Sequence, residues 1–224
     1  MVERRPTETG ELVLRRAGEH FEVICDGQFV MDTRDGRSER ALVREALAGL
    51  AVPRLLLAGL GVGFSLDEAL ATPGLREVVV AEASPDVVRW ARTHLAGLNR
   101  RGLDDPRARL VVGDVGELLR REEERFDAVC LDVDNGPDWL LRPANAGLYQ
   151  EPGLRLIARR LRPKGRLAVW AAAASPAFEA RLRGTFHDVR RVDIPVARGP
   201  DDVVYVASGP REGPSPSTRS HPPR

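Results

Sequence analysis

The sequence is short of the residues on which several classes of protein depend. It has only two cysteines, Cys25 and Cys130, and both lie in apolar, strand-like runs. We therefore predict buried free thiols, which fit a reducing cytoplasm better than a secreted protein held by disulfides. The four histidines form no spacing with cysteines or carboxylates that is typical of a metal site, so we predict no bound metal.

Long apolar runs and an excess of one charge are also missing. No stretch of about 18 uncharged apolar residues occurs, and the first residues lack the apolar part of a secretory signal. The sequence therefore predicts neither a membrane span nor export. The 34 basic residues nearly balance the 33 acidic ones, so no field favours a phosphate backbone and we predict no nucleic-acid partner. The 224 residues, 42% of them hydrophobic, suffice for one domain with a small appendage.

The first 36 residues are predicted to form a small N-terminal β-hairpin piece. Residues 11–16, 21–25 and 28–31 indicate three short strands, and Asp26-Gly27 between the last two favours a two-residue hairpin turn. Ser38 is then predicted to cap a helix with one apolar face.

Residues 37–208 are predicted to form a single α/β domain, because short apolar runs alternate with amphipathic segments. The predicted strands are residues 55–58, 78–81, 110–112, 128–131, 167–170, 189–194 and 203–207, with a turn at Arg198 before the last. The predicted helices are residues 64–71, 86–97, 115–122 and 152–161. Apolar strands that each precede a helix imply a Rossmann-like, doubly wound, mostly parallel sheet. Residues 209–224 are rich in Pro, Ser, Gly and Arg, which predicts a disordered tail.

A glycine-rich turn carries the strongest functional signal. Gly59, Gly61 and Gly63 follow an apolar strand directly and open a helix. Glycine at these positions permits a tight turn and lets a ligand approach the backbone beside the positive end of the helix. Glu82 ends the second strand, where a carboxylate can accept hydrogen bonds from both hydroxyls of an adenosine ribose. The alternative without function is a close-packed turn and a solvated acid.

The alternating glycines, the acid that ends strand two and Gly113-Asp114 after strand three resemble the class I S-adenosylmethionine-dependent methyltransferases. The resemblance implies a seven-stranded sheet with the last strand antiparallel. It also implies S-adenosylmethionine, or its decarboxylated form, as the cofactor held by the glycines, Glu82 and Asp114. In that family the acid after strand three or its neighbours hold the adenine. The alternative for Asp114 is a simple helix N-cap.

A narrower resemblance, to the spermidine synthases, rests on the fourth strand and on the hairpin. The segment 126–137 runs from a strand into Asp132-Val-Asp134-Asn135, and residues 26–35 are similar to the end of that family's hairpin piece. The resemblance implies that Asp132 contacts the cofactor, lies over the transferred group and helps to orient or deprotonate the attacking nucleophile. It also implies pairing through the hairpin, hence a possible homodimer.

Four further residues are predicted to contact the substrate. Asp134 and Asn135 follow strand four directly, Tyr149 lies further along the same connection, and Trp170 ends strand five. The open end of such a sheet receives the second substrate. The alternatives are a turn for the first two residues and core positions for the aromatic pair. Glu39, after the hairpin, is predicted to be a surface helix residue.

These observations predict an S-adenosylmethionine-dependent methyltransferase that acts on a small-molecule nucleophile in the cytoplasm. Val62 stands inside the glycine loop where spermidine synthases have an aspartate. A carboxylate there would repel the carboxylate of ordinary S-adenosylmethionine, so its absence favours methyl transfer. One alternative is a spermidine synthase-like aminopropyltransferase that uses decarboxylated S-adenosylmethionine. The other is a non-catalytic module that binds adenosyl compounds.

Overall fold

Two β-sheets organise the part of the chain that the computed structural model describes, which is residues 1–7, 10–98, 102–197 and 199–211. The strands are β1 (Glu3–Pro6), β2 (Glu11–Ala17), β3 (His20–Cys25), β4 (Gln28–Asp32), β5 (Arg54–Ala58), β6 (Glu77–Glu82), β7 (Ala108–Val112), β8 (Phe126–Leu131), β9 (Leu161–Ala171), β10 (Phe186–Ile194) and β11 (Asp202–Pro210). The helices are α1 (Arg37–Leu47), α2 (Phe64–Ala71), α3 (Pro85–Arg92), α4 (Val115–Arg121), α5 (Glu151–Arg160) and α6 (Pro176–Thr185).

The larger sheet has seven strands in the order β10-β11-β9-β8-β5-β6-β7. Strands β5 to β9 pair in parallel, and β11 runs antiparallel to both β9 and β10. The predicted Rossmann-like fold is therefore confirmed. From β5 the chain moves outward to β6 and β7 and then returns to β8 on the other side of β5. In sheets of this kind, a ligand crevice opens at the carboxyl ends of the strands where the order reverses.

The apolar strand runs become the centre of the core because helices cover both faces of the sheet. Leu55, Leu56 and Leu57 of β5 are fully buried, and they contribute to two hydrophobic clusters on opposite faces. The described residues of the small sheet, β1-β2-β3-β4, form no core of their own. Its Leu14 and Val23 belong to the same cluster as Leu55 and Leu57. Packing therefore fixes the small sheet against the larger one.

Several local features differ from the sequence prediction; for example, the helix predicted over residues 86–97 ends at Arg92. Strand β1 was not predicted, and it pairs antiparallel with β2 from Glu3 opposite Leu14 onward. Helix α6 was not predicted either, although Ser175 before Pro176 is a recognisable start signal and its side chain caps Phe178 N at 3.2 Å. The predicted cap at Ser38 is wrong, because α1 begins at Arg37 and its N-cap is Gly36, two residues before Ser38.

The chain end and the cysteines differ in part from the prediction. Strand β11 runs to Pro210, so Gly209 and Pro210 belong to the sheet, while residues 212–224 and the predicted turn residue Arg198 lie outside the described residues. Cys130 is buried as predicted, whereas Cys25 is only half-buried. Within the described ranges, no helix combines the length and apolar character needed to cross a membrane.

Candidate active site

A cleft opens at the carboxyl ends of the central strands, where the strand order reverses. Every residue predicted for the site except Tyr149 lines it: Gly59, Gly61, Gly63, Glu82, Asp114, Asp132, Asp134, Asn135 and Trp170. The small sheet adds Val30 and Met31, and α1 adds Glu39. Residues from three strands (β4, β6 and β9), from four helices (α1 to α4) and from the turns after β5, β7 and β8 therefore meet around one space.

The glycine turn lets three strands end in close contact. Gly59 has φ +93°, and a Cβ at this position would lie 2.0 Å from the Asp132 carbonyl oxygen. Its N–H donates to the Ala81 carbonyl at 2.9 Å, while the Asp132 N–H donates to the Ala58 carbonyl at 2.9 Å. Only glycine fits here without displacing the backbone of Asp132. Gly63, with φ +104°, then serves as the N-cap of α2.

Glu82 is held by the backbone of the glycine turn. One carboxyl oxygen accepts a hydrogen bond from Leu60 N at 2.9 Å, and the other accepts one from Ser84 N at 2.7 Å. Burial raises the pKa of Glu82, and these two N–H donors act in the opposite direction. Each oxygen retains a second lone pair, so the carboxyl can also accept hydrogen bonds from a ligand in the cleft.

Asp114 caps a helix, which was the alternative considered for it, and it also lines the cleft. Its side chain caps α4 by accepting a hydrogen bond from Glu117 N at 2.9 Å. The residue is exposed and also lines the cleft, at the end of β7. This capping hydrogen bond fixes the direction of the Asp114 carboxylate at the rim of the site.

Asp132 follows β8 at the point where the two sides of the cleft meet. Burial, followed by the negative charge of Glu39, raises the pKa of Asp132 to about 8. Ser65 donates a hydrogen bond to its Oδ2 at 3.4 Å, and the carboxyl forms no ion pair within the described part of the chain. An acid with such a pKa can take up and release a proton near neutral pH.

Glu39 is a site residue that the sequence analysis missed, and the predicted surface position is wrong. It lies in the first turn of α1, lines the cleft, and accepts a hydrogen bond from Ser38 Oγ at 3.1 Å. Burial raises the pKa of Glu39. Helical spacing was the available signal, since Leu42 and Val43, three and four residues later, are fully buried and face the same way.

Asp134 holds the connection that closes one side of the cleft. Its Oδ1 accepts hydrogen bonds from Leu141 N at 2.9 Å and Arg142 N at 3.2 Å, and its Oδ2 accepts one from Tyr149 Oη at 3.2 Å. Tyr149 is 1% exposed and lies behind Asp134, so its prediction as a direct substrate contact is wrong. The pair instead positions Leu141 and Arg142, both of which line the cleft.

Asn135 and Trp170 complete the opposite wall. The Asn135 carbonyl accepts a hydrogen bond from Ala172 N at 3.1 Å, which ties the turn after β8 to the end of β9. Gly136, with φ +112°, allows this approach, because a Cβ there would lie 2.7 Å from Ala171 Cβ. The Trp170 side chain is half-buried and lines the cleft from β9.

These features define a Rossmann-like protein with a carboxylate-rich ligand cleft at the switch point of its sheet. Comparison with known families gives a match to the spermine/spermidine synthase domain over residues 51–182. The chain belongs to the spermine/spermidine synthase family, as the narrower resemblance predicted.

Curated relatives carry consistent names. A polyamine aminopropyltransferase of Mycobacterium tuberculosis is 35% identical over 167 residues, which are 73% of this chain and 31% of the relative. Polyamine aminopropyltransferase 2 of Streptomyces coelicolor is 34% identical over 206 residues, 90% of this chain and 35% of the relative. The chain thus spans about a third of the length of these relatives.

Solved structures show the same fold. The spermidine synthase of Thermotoga maritima has a TM-score of 0.77 at 18% identity, covering 94% of this chain and 73% of that one. A spermidine synthase in complex with the transition state analogue AdoDATO has a TM-score of 0.76 at 17% identity, covering 93% and 72%.

The prediction of a methyltransferase is wrong. The matching family is the spermine/spermidine synthase domain, and the curated relatives are named polyamine aminopropyltransferases. The prediction relied on the missing carboxylate at Val62. This side chain is 4% exposed and packs in the hydrophobic core, so its identity reflects packing as well as any ligand.

Proposed function

We propose that the protein is an aminopropyltransferase that uses decarboxylated S-adenosylmethionine as donor and an amine as acceptor. The observation that carries this proposal is the Asp132 carboxyl, which lies between the two sides of the cleft with a pKa raised to about 8. An amine nucleophile must lose a proton during transfer, and a carboxyl of this pKa suits that task near neutral pH.

The residues around the glycine turn fit an adenosyl group. Glu82 offers free lone pairs beside the glycine backbone, as a ribose with two hydroxyls requires. Val87, Val115 and Leu141 line the same side and provide an apolar surface for a base. Asp114, fixed by its capping bond, adds an acceptor at the rim. This side of the cleft is called the donor half below.

The acceptor half comprises Val30, Met31, Glu39, Phe64, Ser65, Asp132, Asn135 and Trp170. Glu39 and Asp132 both face an incoming amine there and attract its ammonium form. The reaction requires the neutral form, so a carboxylate must then accept the proton. Asp132 is the group positioned for this transfer, with Ser65 fixing its Oδ2.

The donor supplies a sulfonium, so a new N–C bond forms as the C–S bond breaks, the sulfur leaves as a neutral thioether and the amine proton passes to Asp132. The chain contributes mainly by holding the two reactants in line. Alignment of this kind can supply about 7–11 kcal/mol of the barrier.

Release of 5′-methylthioadenosine, measured by liquid chromatography after mixing with the decarboxylated donor and a panel of amines, tests the proposal. We expect release that depends on an amine, and none with ordinary S-adenosylmethionine. Glu82→Gln should weaken donor binding at least 10-fold by calorimetry, whereas Glu117→Gln, an exposed neighbour of the site on α4, should not. Failure of every amine to yield the thioether, together with absent donor binding, would contradict the proposal.

The homodimer, the cytoplasmic location and the absence of a nucleic-acid partner stay predictions. Sedimentation of the purified protein would test the first of them.

A further inference from the structure

The acceptor half gathers its negative charge at one point. Glu39 and Asp132 are the carboxyls that line this half among the described residues. Ser65 Oγ lies 3.4 Å from the Glu39 carbonyl oxygen and 3.4 Å from Asp132 Oδ2, so a single hydroxyl spans the gap between the two residues. After burial, the charge of Glu39 is the largest cause of the raised pKa of Asp132. The two side chains are therefore close enough for their charges to interact.

The neighbouring carboxyls are engaged elsewhere. Both oxygens of Asp134 accept hydrogen bonds from the connection that it holds. Asp202, half-buried at the start of β11, faces Ser38 and Trp170 and does not line the cleft. Glu82 lies in the donor half. The charges of Asp202 and Asp35 also raise the pKa of Glu39, but neither residue lines the cleft. Among the described residues, Glu39 and Asp132 are thus the carboxyls on the surface of the acceptor half.

The rest of the acceptor half is largely apolar. Val30 and Met31 come from β4, Phe64 from the start of α2, and Trp170 from β9. Each of these side chains is half-buried, so each keeps part of its surface open to a ligand. Apolar walls with a small number of polar groups are typical of sites that orient a small molecule with an apolar body.

We propose that the acceptor is a primary monoamine with an apolar alkyl or aryl body, in preference to a linear diamine. This inference rests on the proposed aminopropyl transfer. The amine nitrogen would lie at Glu39 and Asp132, and the body would pack against Phe64 and Trp170. A linear diamine carries its second ammonium at the far end of the chain, where it would lose hydration against the apolar wall without gaining a carboxylate.

Butylamine and putrescine form the sharpest pair for a test, because they differ only by the second ammonium. With the decarboxylated donor, we expect kcat/KM for butylamine and for phenethylamine to exceed that for putrescine at least 10-fold. Equal values, or a preference for putrescine, would overturn the inference and leave aminopropyl transfer intact.

A variant of the apolar wall adds a second test. Trp170→Ala should lower kcat/KM for phenethylamine at least 10-fold and lower that for putrescine by a smaller factor, so that the preference for phenethylamine shrinks. Trp139→Ala, which removes a 54% exposed side chain outside the cleft, should change neither. Thermal melting of both variants shows whether they remain folded.

A binding measurement tests the preference for a monoamine even if no turnover is observed. With 5′-methylthioadenosine present, phenethylamine should bind at least 10-fold more tightly than putrescine by calorimetry. Tighter binding of putrescine, or binding of neither amine, would contradict the inference. If the nucleoside itself does not bind and no amine reacts, the proposed function fails together with it.

Discussion

The carboxylates at the two ends of the parallel sheet differ in whether they are paired with arginine. At the amino ends of the strands, Arg54 is 3% exposed and contacts Glu77 at 2.6 Å and Glu122 at 3.3 Å. Its guanidinium also lies 4.4 Å from the centre of the Phe126 ring. At the carboxyl ends, Asp132 and its neighbours Glu39 and Glu82 form no ion pair within the described residues. Arginine neutralises the carboxylates at the amino ends of the strands, whereas those at the carboxyl ends are either charged or protonated.

The pKa values follow this division. A hydrogen bond from Arg76 holds the pKa of Glu124 below its usual value at the amino end. Burial raises the pKa of Glu39, Glu82 and Asp132 at the carboxyl end. Removing one partner of a buried ion pair destabilises a fold, whereas half-buried carboxyls without an ion-pair partner cost stability themselves and are available for chemistry. Because the net charge of the chain is close to zero, the composition alone does not show that these two groups of carboxyls lie at opposite ends of the sheet.

The largest expected effect concerns the amino end. Arg54→Met should lower the free energy of unfolding by about 3 kcal/mol, because it leaves Glu77 and Glu122 without their buried partner. Urea unfolding followed by circular dichroism measures this. Arg109→Met, at a 43% exposed position that contacts the same two glutamates, should cost less than about 1 kcal/mol. Equal costs for the two variants would remove the distinction between buried and exposed pairing.

At the carboxyl end the expected effect is on activity. Asp132→Asn should reduce kcat about 100-fold or more, because an amide cannot accept the amine proton. Its melting temperature at pH 8 should not fall, since the substitution removes a half-buried carboxylate that forms no ion pair among the described residues. Asp138→Asn, an exposed acid in the same connection, should leave both quantities unchanged. A destabilised Asp132→Asn with normal kcat would show that the residue is only structural.

The pH dependence of stability provides a smaller but more specific test. Because the folded-state pKa of Asp132 is raised to about 8, its neutral form favours the folded state at low pH. That contribution is lost as the pH rises toward 8. The difference in unfolding free energy between Asp132→Asn and the natural protein should therefore grow from pH 5 to pH 8. A constant difference across that range would contradict the raised pKa.

The smallest expected effect separates positioning from packing. Tyr149→Phe removes the donor to Asp134 and should cost about 1 kcal/mol of stability. It should also raise the donor KM about 3-fold, because Asp134 holds Leu141 and Arg142 at the cleft. Tyr205→Phe removes a buried hydroxyl that contacts Ser175, away from the cleft, and should cost similar stability without changing KM. Identical KM values would leave Tyr149 as a core residue.

Much of the donor half could be predicted from the sequence because it is local. Gly59, Gly61 and Gly63 lie within five residues, and the strand before them and the helix after them show in the apolar pattern. Glu82 ends the apolar strand β6 and Asp114 lies two residues after β7, so their position at the carboxyl edge is a consequence of the parallel sheet. Glycine adopts positive φ values readily, so the tight turn could be predicted from the residue type alone.

The acceptor half depended on tertiary structure. Glu39 comes from a helix between the two sheets, and only the packing of α1 against β8, β9 and β11 turns its carboxyl into the cleft. Tyr149 and Asp134, 15 residues apart, both resembled substrate contacts until the connection between them folded back and joined them. The sequence by itself thus determined the fold and the donor half, through periodicity and glycine geometry. Contacts between distant segments decided which acids are buried together, because burial and mutual repulsion arise only once those segments meet.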